Sequence, residues 1–184
     1  MARKRGKSKG KKINPTLFVF CEGKTEEAYV NFLKSLYRIP SIHIRSKIAG
    51  NNITYAIIKN YKKGMPTDDK DRNFLMYDSD VPEIVNRLKS IKDCILLLSN
   101  PSIELWFLLH YKNQTAHITS PECCRQLSNR NGNYKKGVMD LKLKEKLITK
   151  RNEALKRAKF LNQNNNPSSS IYQLIEILLS LKTD

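Results

Sequence analysis

Four short apolar segments recur along the first hundred residues, and each is followed by a turn signal and a stretch with helical periodicity. The segments are residues 17–21, 42–48, 73–77 and 94–98. Such short runs, rich in β-branched and aromatic residues, are typical of strands buried in a sheet. Successive strand-then-helix units favour parallel pairing, with helices crossing over the sheet. The sequence therefore predicts an α/β protein with a four-stranded parallel sheet and helices on both faces.

Turn and cap residues set the predicted bounds of the intervening helices. Thr25 is predicted as the N-cap of a first helix that ends before Pro40, and further helices are predicted at about residues 53–61 and 82–89. Ser99-Asn100-Pro101 is predicted to open an apolar helix over residues 102–111, with Pro101 at its first position.

The chain changes character at residue 112. Residues 113–139 are polar and turn-rich, residues 140–161 indicate one basic helix, residues 162–170 a polar loop, and residues 171–181 an amphipathic helix. We therefore expect three parts. These are a disordered basic arm at 1–12, an α/β core at 13–111, and an extension at 112–184 whose polar loop and helices pack on the core.

Charge points to a polyanionic partner. The 184 residues carry 34 Lys and Arg against 17 Asp and Glu, a net charge of +17, and seven of the basic residues lie in residues 1–12. A surplus of this size favours a phosphate backbone, DNA or RNA, whose counterions are released on binding. An anionic membrane surface is the alternative, but no amphipathic anchor, membrane span or secretory signal accompanies the arm. The expected location is the cytoplasm.

The cysteine pattern favours reduced, structural thiols over a metal or redox motif. Cys21, Cys94, Cys123 and Cys124 form no C-x-x-C pair. A zinc site made of His110, His117, Cys123 and Cys124 is possible by ligand type, but its spacing matches no known pattern. His110 closes an apolar helix, which favours a structural role.

Acidic residues are scarce, and several follow predicted strands. Glu22 comes after the first strand, Asp78 and Asp80 after the third, and Glu104 lies in the first turn of the helix after the fourth. If the first and third strands are neighbours, these carboxylates meet at one edge of the sheet. Clustered carboxylates need a compensating cation, and their hard oxygens suit Mg²⁺ or Mn²⁺. Each could instead serve only as a helix-capping or turn residue.

Three sequence blocks resemble the RloB-like proteins, a family with a Toprim-type fold. They are E-G-K-T-E-E-A-Y at 22–29, Y-D-S-D at 77–80 and S-N-P-S-I-E-L-W-F-L-L-H-Y at 99–111. The resemblance extends into Y-K-K-G at 134–137 and N-P-S-S-S-I-Y-Q-L at 166–174. It covers nearly all of the chain after the arm.

The resemblance implies divalent-metal-dependent phosphodiester chemistry. It assigns Glu22 as an acid-base or metal residue, Asp78 and Asp80 as metal ligands, Glu26 as the second glutamate of an E-x-x-x-E pattern, and Glu104 as a fourth acidic position. RloB-like proteins are associated with bacterial antiphage defence and abortive infection, often beside an ATPase partner. The implied catalytic set is Glu22, Asp78, Asp80 and Glu104; the implied metal set is Glu22, Glu26, Asp78 and Asp80.

The preferred hypothesis from the sequence is a magnesium-dependent nuclease. Candidate strand-binding residues are Lys24, Arg125, Arg130, Lys135 and Lys136. Two alternatives remain open: a non-catalytic nucleic-acid-binding subunit that docks on an ATPase, and a toxin directed at tRNA or ribosomes.

Overall fold

The computed structural model describes residues 14–163 and 165–183, so the predicted basic arm at 1–12 lies outside the described residues. Five strands and eight helices form an α/β fold in this part of the chain. The strands β1–β5 are Thr16–Cys21, His43–Ile48, Arg72–Asp78, Cys94–Asn100 and Ser168–Ser169. The helices α1–α8 are Lys24–Tyr37, Tyr55–Lys62, Pro82–Lys89, Ile103–Leu108, Ser120–Asn131, Leu141–Thr149, Arg151–Phe160 and Tyr172–Thr183.

The strands form one sheet in the order β2-β1-β3-β4-β5. The first four are parallel, as predicted, and the pairs Cys21↔Met76 and Asp78↔Ser99 align their carboxyl ends. The prediction of a four-stranded, wholly parallel sheet was wrong, because β5 pairs antiparallel with β4 where a polar loop was expected. Side chains reinforce this short strand: the Ser99 and Ser169 hydroxyls lie 2.9 Å apart, and Leu98 N–H donates to Ser170 Oγ at 2.7 Å.

Both faces of the sheet are covered, which explains the continuous apolar strands. The larger core packs alternate β1 residues such as Leu17 and Val19 against α1 and the helices from α4 onwards. The smaller core packs Phe18 and Phe20 beneath α2 and α3. A buried hydrogen bond from Trp106 Nε1 to Tyr29 Oη, 2.8 Å long, joins α4 to α1. The larger core therefore contains residues from both sides of position 112.

Two helix starts differ from the prediction. The N-cap of α1 is Gly23, not Thr25, because the Glu26 carboxylate accepts from Gly23 N–H at 2.9 Å and so completes the first turn. Strand β4 continues to Asn100, and α4 is a six-residue helix with Ser102 as its N-cap. Pro101 thus precedes the helix.

The helices after residue 112 also correct the prediction. Helix α5 occupies Ser120–Asn131 within the stretch expected to be turn-rich; Thr119 caps it, and its buried apolar side chains are Cys123 and Leu127. The single basic helix expected at 140–161 is two helices, α6 and α7, separated at Lys150. None of the described helices combines the length and the apolar character that crossing a membrane requires.

Candidate active site

The carboxyl ends of β1 and β3 bring two predicted site residues into contact. Glu22 follows β1, and its Oε2 accepts a hydrogen bond from the backbone N–H of Asp78 at 2.9 Å. Asp78 ends β3, and its Oδ1 accepts from Ile103 N–H at 2.9 Å, at the start of α4. The order of parallel strands therefore joins Glu22, Asp78 and the beginning of α4 at one edge of the sheet.

Glu26 and Glu104 are the most deeply buried carboxyls of this edge, 5% and 1% exposed. Glu26 is held by the Gly23 amide. Glu104 accepts at Oε2 from the Ser102 hydroxyl, 2.7 Å away, and at Oε1 from the Tyr134 hydroxyl, 2.9 Å away. Lys136 Nζ lies 3.7 Å from the same Oε1. Both oxygens of Glu104 are thus engaged by side chains of this protein, as a buried carboxylate requires.

These carboxyls share one electrostatic field. Burial, followed by the charges of Glu26, Glu22 and Glu104, raises the pKa of Asp78 to about 8, against a lowering effect of the Ile103 amide. Burial also raises the pKa of Glu22 and that of Glu26. Asp80 is exposed, yet its charge contributes to the raised pKa of Glu22. We call Glu22, Glu26, Asp78 and Glu104 the acidic centre, with Asp80 at its solvent side.

The donor chemistry of the centre fits a hard divalent cation. Glu22 Oε1 and Asp78 Oδ2 accept no hydrogen bond from the described residues, and neither is among the buried side-chain atoms left without a partner. Both oxygens are therefore open to solvent, and carboxylate oxygens are the preferred ligands of Mg²⁺ and Mn²⁺. Within the described ranges, no three His, Cys, Asp or Glu side chains are already grouped to hold an ion. The zinc site considered for His110, His117, Cys123 and Cys124 is likewise not formed by these described residues.

Three of the predicted strand-binding residues lie at or beside the centre. Lys136 contacts Glu104, Lys135 is its exposed neighbour, and Lys24 is exposed at the first position of α1. The two arginines of α5 are engaged by their own helix instead. Arg125 forms a bidentate ion pair with Glu122, and Arg130 donates to the Gln126 carbonyl at 3.2 Å.

Tyr134 is the site residue that sequence reasoning missed. The residue is 8% exposed, its ring lies near Phe107 in the larger core, and its hydroxyl donates to Glu104. The available signal was its place in the Y-K-K-G block, since a buried tyrosine hydroxyl needs a polar partner. Only the two lysines of that block were predicted as site residues.

His110 and the cysteines have structural surroundings. His110 Nδ1 lies 2.9 Å from the Trp106 carbonyl, and burial lowers the pKa of its imidazole to about 4, so the ring is neutral at pH 7. The cysteines are free thiols, and burial raises the pKa of Cys123 to about 12. Such a thiol is a poor nucleophile, because the thiolate is the reactive form.

The fold and the site together define an α/β protein with an acidic centre at the carboxyl edge of a mostly parallel sheet. Residues 17–178 match the sequence model of the RloB-like proteins. The chain therefore belongs to the RloB-like family, as the sequence blocks predicted. Comparisons with curated proteins and with solved structures give no significant match.

Proposed function

We propose that this protein cleaves phosphodiester bonds of a nucleic acid with the help of Mg²⁺ or Mn²⁺, and that its core is a Toprim-like domain. One observation carries the proposal. Asp78 lies among three other carboxyls, its pKa is raised to about 8, and no described residue donates to its second oxygen. The carboxylates of this centre repel one another, so a bound cation would stabilise them by offsetting that repulsion.

Glu22, Asp78 and Asp80 would hold the ion. Bound there, a divalent cation supplies electrostatic stabilisation of the charge that develops on a phosphate and lowers the pKa of a bound water. The backbone amides of Asp78 and Ile103 fix the two inner carboxylates. Both oxygens of Glu104 accept hydrogen bonds, so it strengthens the negative field without offering a free oxygen. Among the described residues, Glu26 is engaged at Oε2 alone, so its Oε1 could complete the ligand set.

The charge of the chain supports a nucleic-acid substrate. The net charge of +17 lies on a protein whose candidate site is acidic, so the basic surface would attract a polyanion that the site alone would repel. Membership of the RloB-like family supports a role in bacterial antiphage defence or abortive infection, in the cytoplasm and beside an ATPase partner.

Cleavage of labelled nucleic acids tests the enzyme proposal. Wild-type protein should cut single-stranded or duplex DNA or RNA in Mg²⁺ and not in EDTA. Glu22→Gln and Asp78→Asn keep a hydrogen-bond acceptor but remove the charge, so each should lower kcat by about a hundredfold or more. Asp69→Asn removes an exposed carboxylate outside the centre and should leave the rate unchanged.

A second candidate is a non-catalytic nucleic-acid-binding subunit. It is favoured by the engagement of one oxygen each of Glu22 and Asp78 with backbone amides, and by the lack of a preassembled metal group in the described ranges. This candidate predicts that wild type cuts none of these substrates, while Glu22→Gln and Asp78→Asn bind them at least as tightly as wild type does.

A further inference from the structure

Residues 132–139, which we call the covering segment, lie against the acidic centre and are fixed at two points. Before Lys136, the Tyr134 hydroxyl donates to Glu104 at 2.9 Å in the buried interior. After it, the Gly137 N–H donates to Thr25 Oγ1 of α1 at 3.0 Å. These anchors lie in contact with α4 and α1, the two helices that follow β4 and β1. The backbone on both sides of Lys136 is thus tied to the elements that carry Glu104 and Glu26.

Gly137 makes the second anchor possible. Its φ is +76°, in the left-handed region that side chains rarely adopt, and a Cβ at this position would lie 3.4 Å from Lys24 Cβ. The positive φ favours glycine here, and an added Cβ would be in van der Waals contact with α1. The fold therefore fixes the backbone position of Lys136.

The Lys136 side chain is held less tightly than its backbone. Its Nζ lies 3.7 Å from Glu104 Oε1, beyond a good hydrogen bond, and the side chain is 60% exposed. Glu104 already receives two hydroxyl donors, so it does not need the ammonium to satisfy its oxygens. The ammonium also acts electrostatically on Asp78 and Glu26. An ammonium carries three N–H donors, and those of Lys136 remain available to a ligand arriving from solvent.

We propose that Lys136 is a catalytic residue that contacts a phosphate of the nucleic-acid substrate, and that Glu104, Tyr134 and Thr25 are its positioning residues. This inference rests on the proposed function and reassigns Glu104, which was predicted as a catalytic carboxylate. Lys136 keeps its proton throughout. It offsets the repulsion between the phosphate and the acidic centre and stabilises the negative charge that develops during cleavage.

Lysine variants test this role, with Lys92 as the control, an exposed lysine before β4 at the opposite edge of the sheet. Binding of a short fluorescent oligonucleotide, as RNA and as DNA, is measured in Ca²⁺ to follow binding without cleavage, and cleavage is measured in Mg²⁺. Lys136→Ala should weaken binding about tenfold and lower kcat further, whereas Lys92→Ala should change binding by about twofold or less. Lys136→Arg should restore most of the binding.

Tyr134→Phe tests the positioning role. It should reduce binding and kcat in wild type but have little further effect in Lys136→Ala protein, because the tyrosine acts through the lysine. A purely structural tyrosine would give additive losses in this double-mutant cycle. Urea denaturation of each variant checks that it is folded before its binding and kcat are compared with those of wild type.

The outcomes separate the two proposals. Equal losses from Lys92→Ala and Lys136→Ala, or no oligonucleotide binding by wild type in Ca²⁺, would overturn the role of Lys136. Selective loss of binding in Lys136→Ala protein, with no cleavage by wild type in Mg²⁺, would refute the nuclease proposal and leave Lys136 as a phosphate-binding residue.

Discussion

Replacing Asp78 by asparagine should stabilise the metal-free protein at neutral and alkaline pH. The substitution keeps an Oδ1 acceptor for the Ile103 amide, so the contact at the start of α4 remains. It removes a partly buried charge that three nearby carboxyls oppose. A functional carboxylate would thus be costly to the fold until a cation compensates it.

The size and the sign of this change in unfolding free energy follow from proton linkage. The pKa of Asp78 is raised from 3.8 to about 8, so the unfolded chain loses this proton near pH 4 while the folded protein keeps it to about pH 8. Stability due to Asp78 therefore falls as pH rises through this range and levels off above it. At about 1.4 kcal/mol per pKa unit the ceiling is about 6 kcal/mol; because solvent reaches Oδ2 and screens the charge, we expect about 2–3 kcal/mol.

Urea denaturation in EDTA between about pH 6.5 and 8.5 measures this effect. The difference in unfolding free energy between Asp78→Asn and wild type should favour the variant and grow with pH, while Asp69→Asn should show neither change. Saturating Mn²⁺ should stabilise wild type by about 2–3 kcal/mol and leave Asp78→Asn almost unaffected. The reasoning is refuted if Asp78→Asn is the less stable protein in EDTA at every pH, since the folded state would then already compensate the carboxylate.

Three further predictions concern the covering segment, the core and a buried histidine. Gly137→Ala should cost about 1 kcal/mol because of its positive φ and should speed amide hydrogen exchange in the covering segment; unchanged exchange would contradict this. Leu97→Ala, in the fully buried middle of β4, should cost about 2–5 kcal/mol in urea denaturation, and a loss below about 1 kcal/mol would argue against its packing. The pKa of His110 is lowered to about 4, so wild type should lose up to about 3 kcal/mol as pH falls from about 6.5 to 4, whereas His110→Gln should lack this component; parallel pH profiles would disprove it.

Local patterns were enough to predict the parallel part of the fold. The apolar runs gave β1 to β4, and Pro82 marked the start of α3 at the correct residue. Helix α5 could not be recognised because only Cys123 and Leu127 supply buried apolar side chains at helical spacing, and the rest of its sequence is polar. Strand β5 is two serines long, and neither so short a strand nor its hydroxyl contacts with β4 produce a period in the sequence.

The candidate site, like the fold, could be predicted only in part. The meeting of Glu22 with Asp78 followed from parallel strands, because such strands end at one edge. The role of Glu104 did not follow, since its partner Tyr134 comes 30 residues later and reaches it only through tertiary packing. A lone glutamate in an apolar run showed that a partner was needed but not which residue supplies it.

The antiparallel outer strand has a consequence for how the molecule folds. Ser99 and Ser169 are 70 positions apart, so the carboxyl end of β4 stays unpaired on its outer side until a distant segment has folded against it. An uncovered strand edge is a template for association with other chains. During refolding from denaturant, the yield should therefore fall as protein concentration rises, with aggregation beginning at the unpaired side of β4.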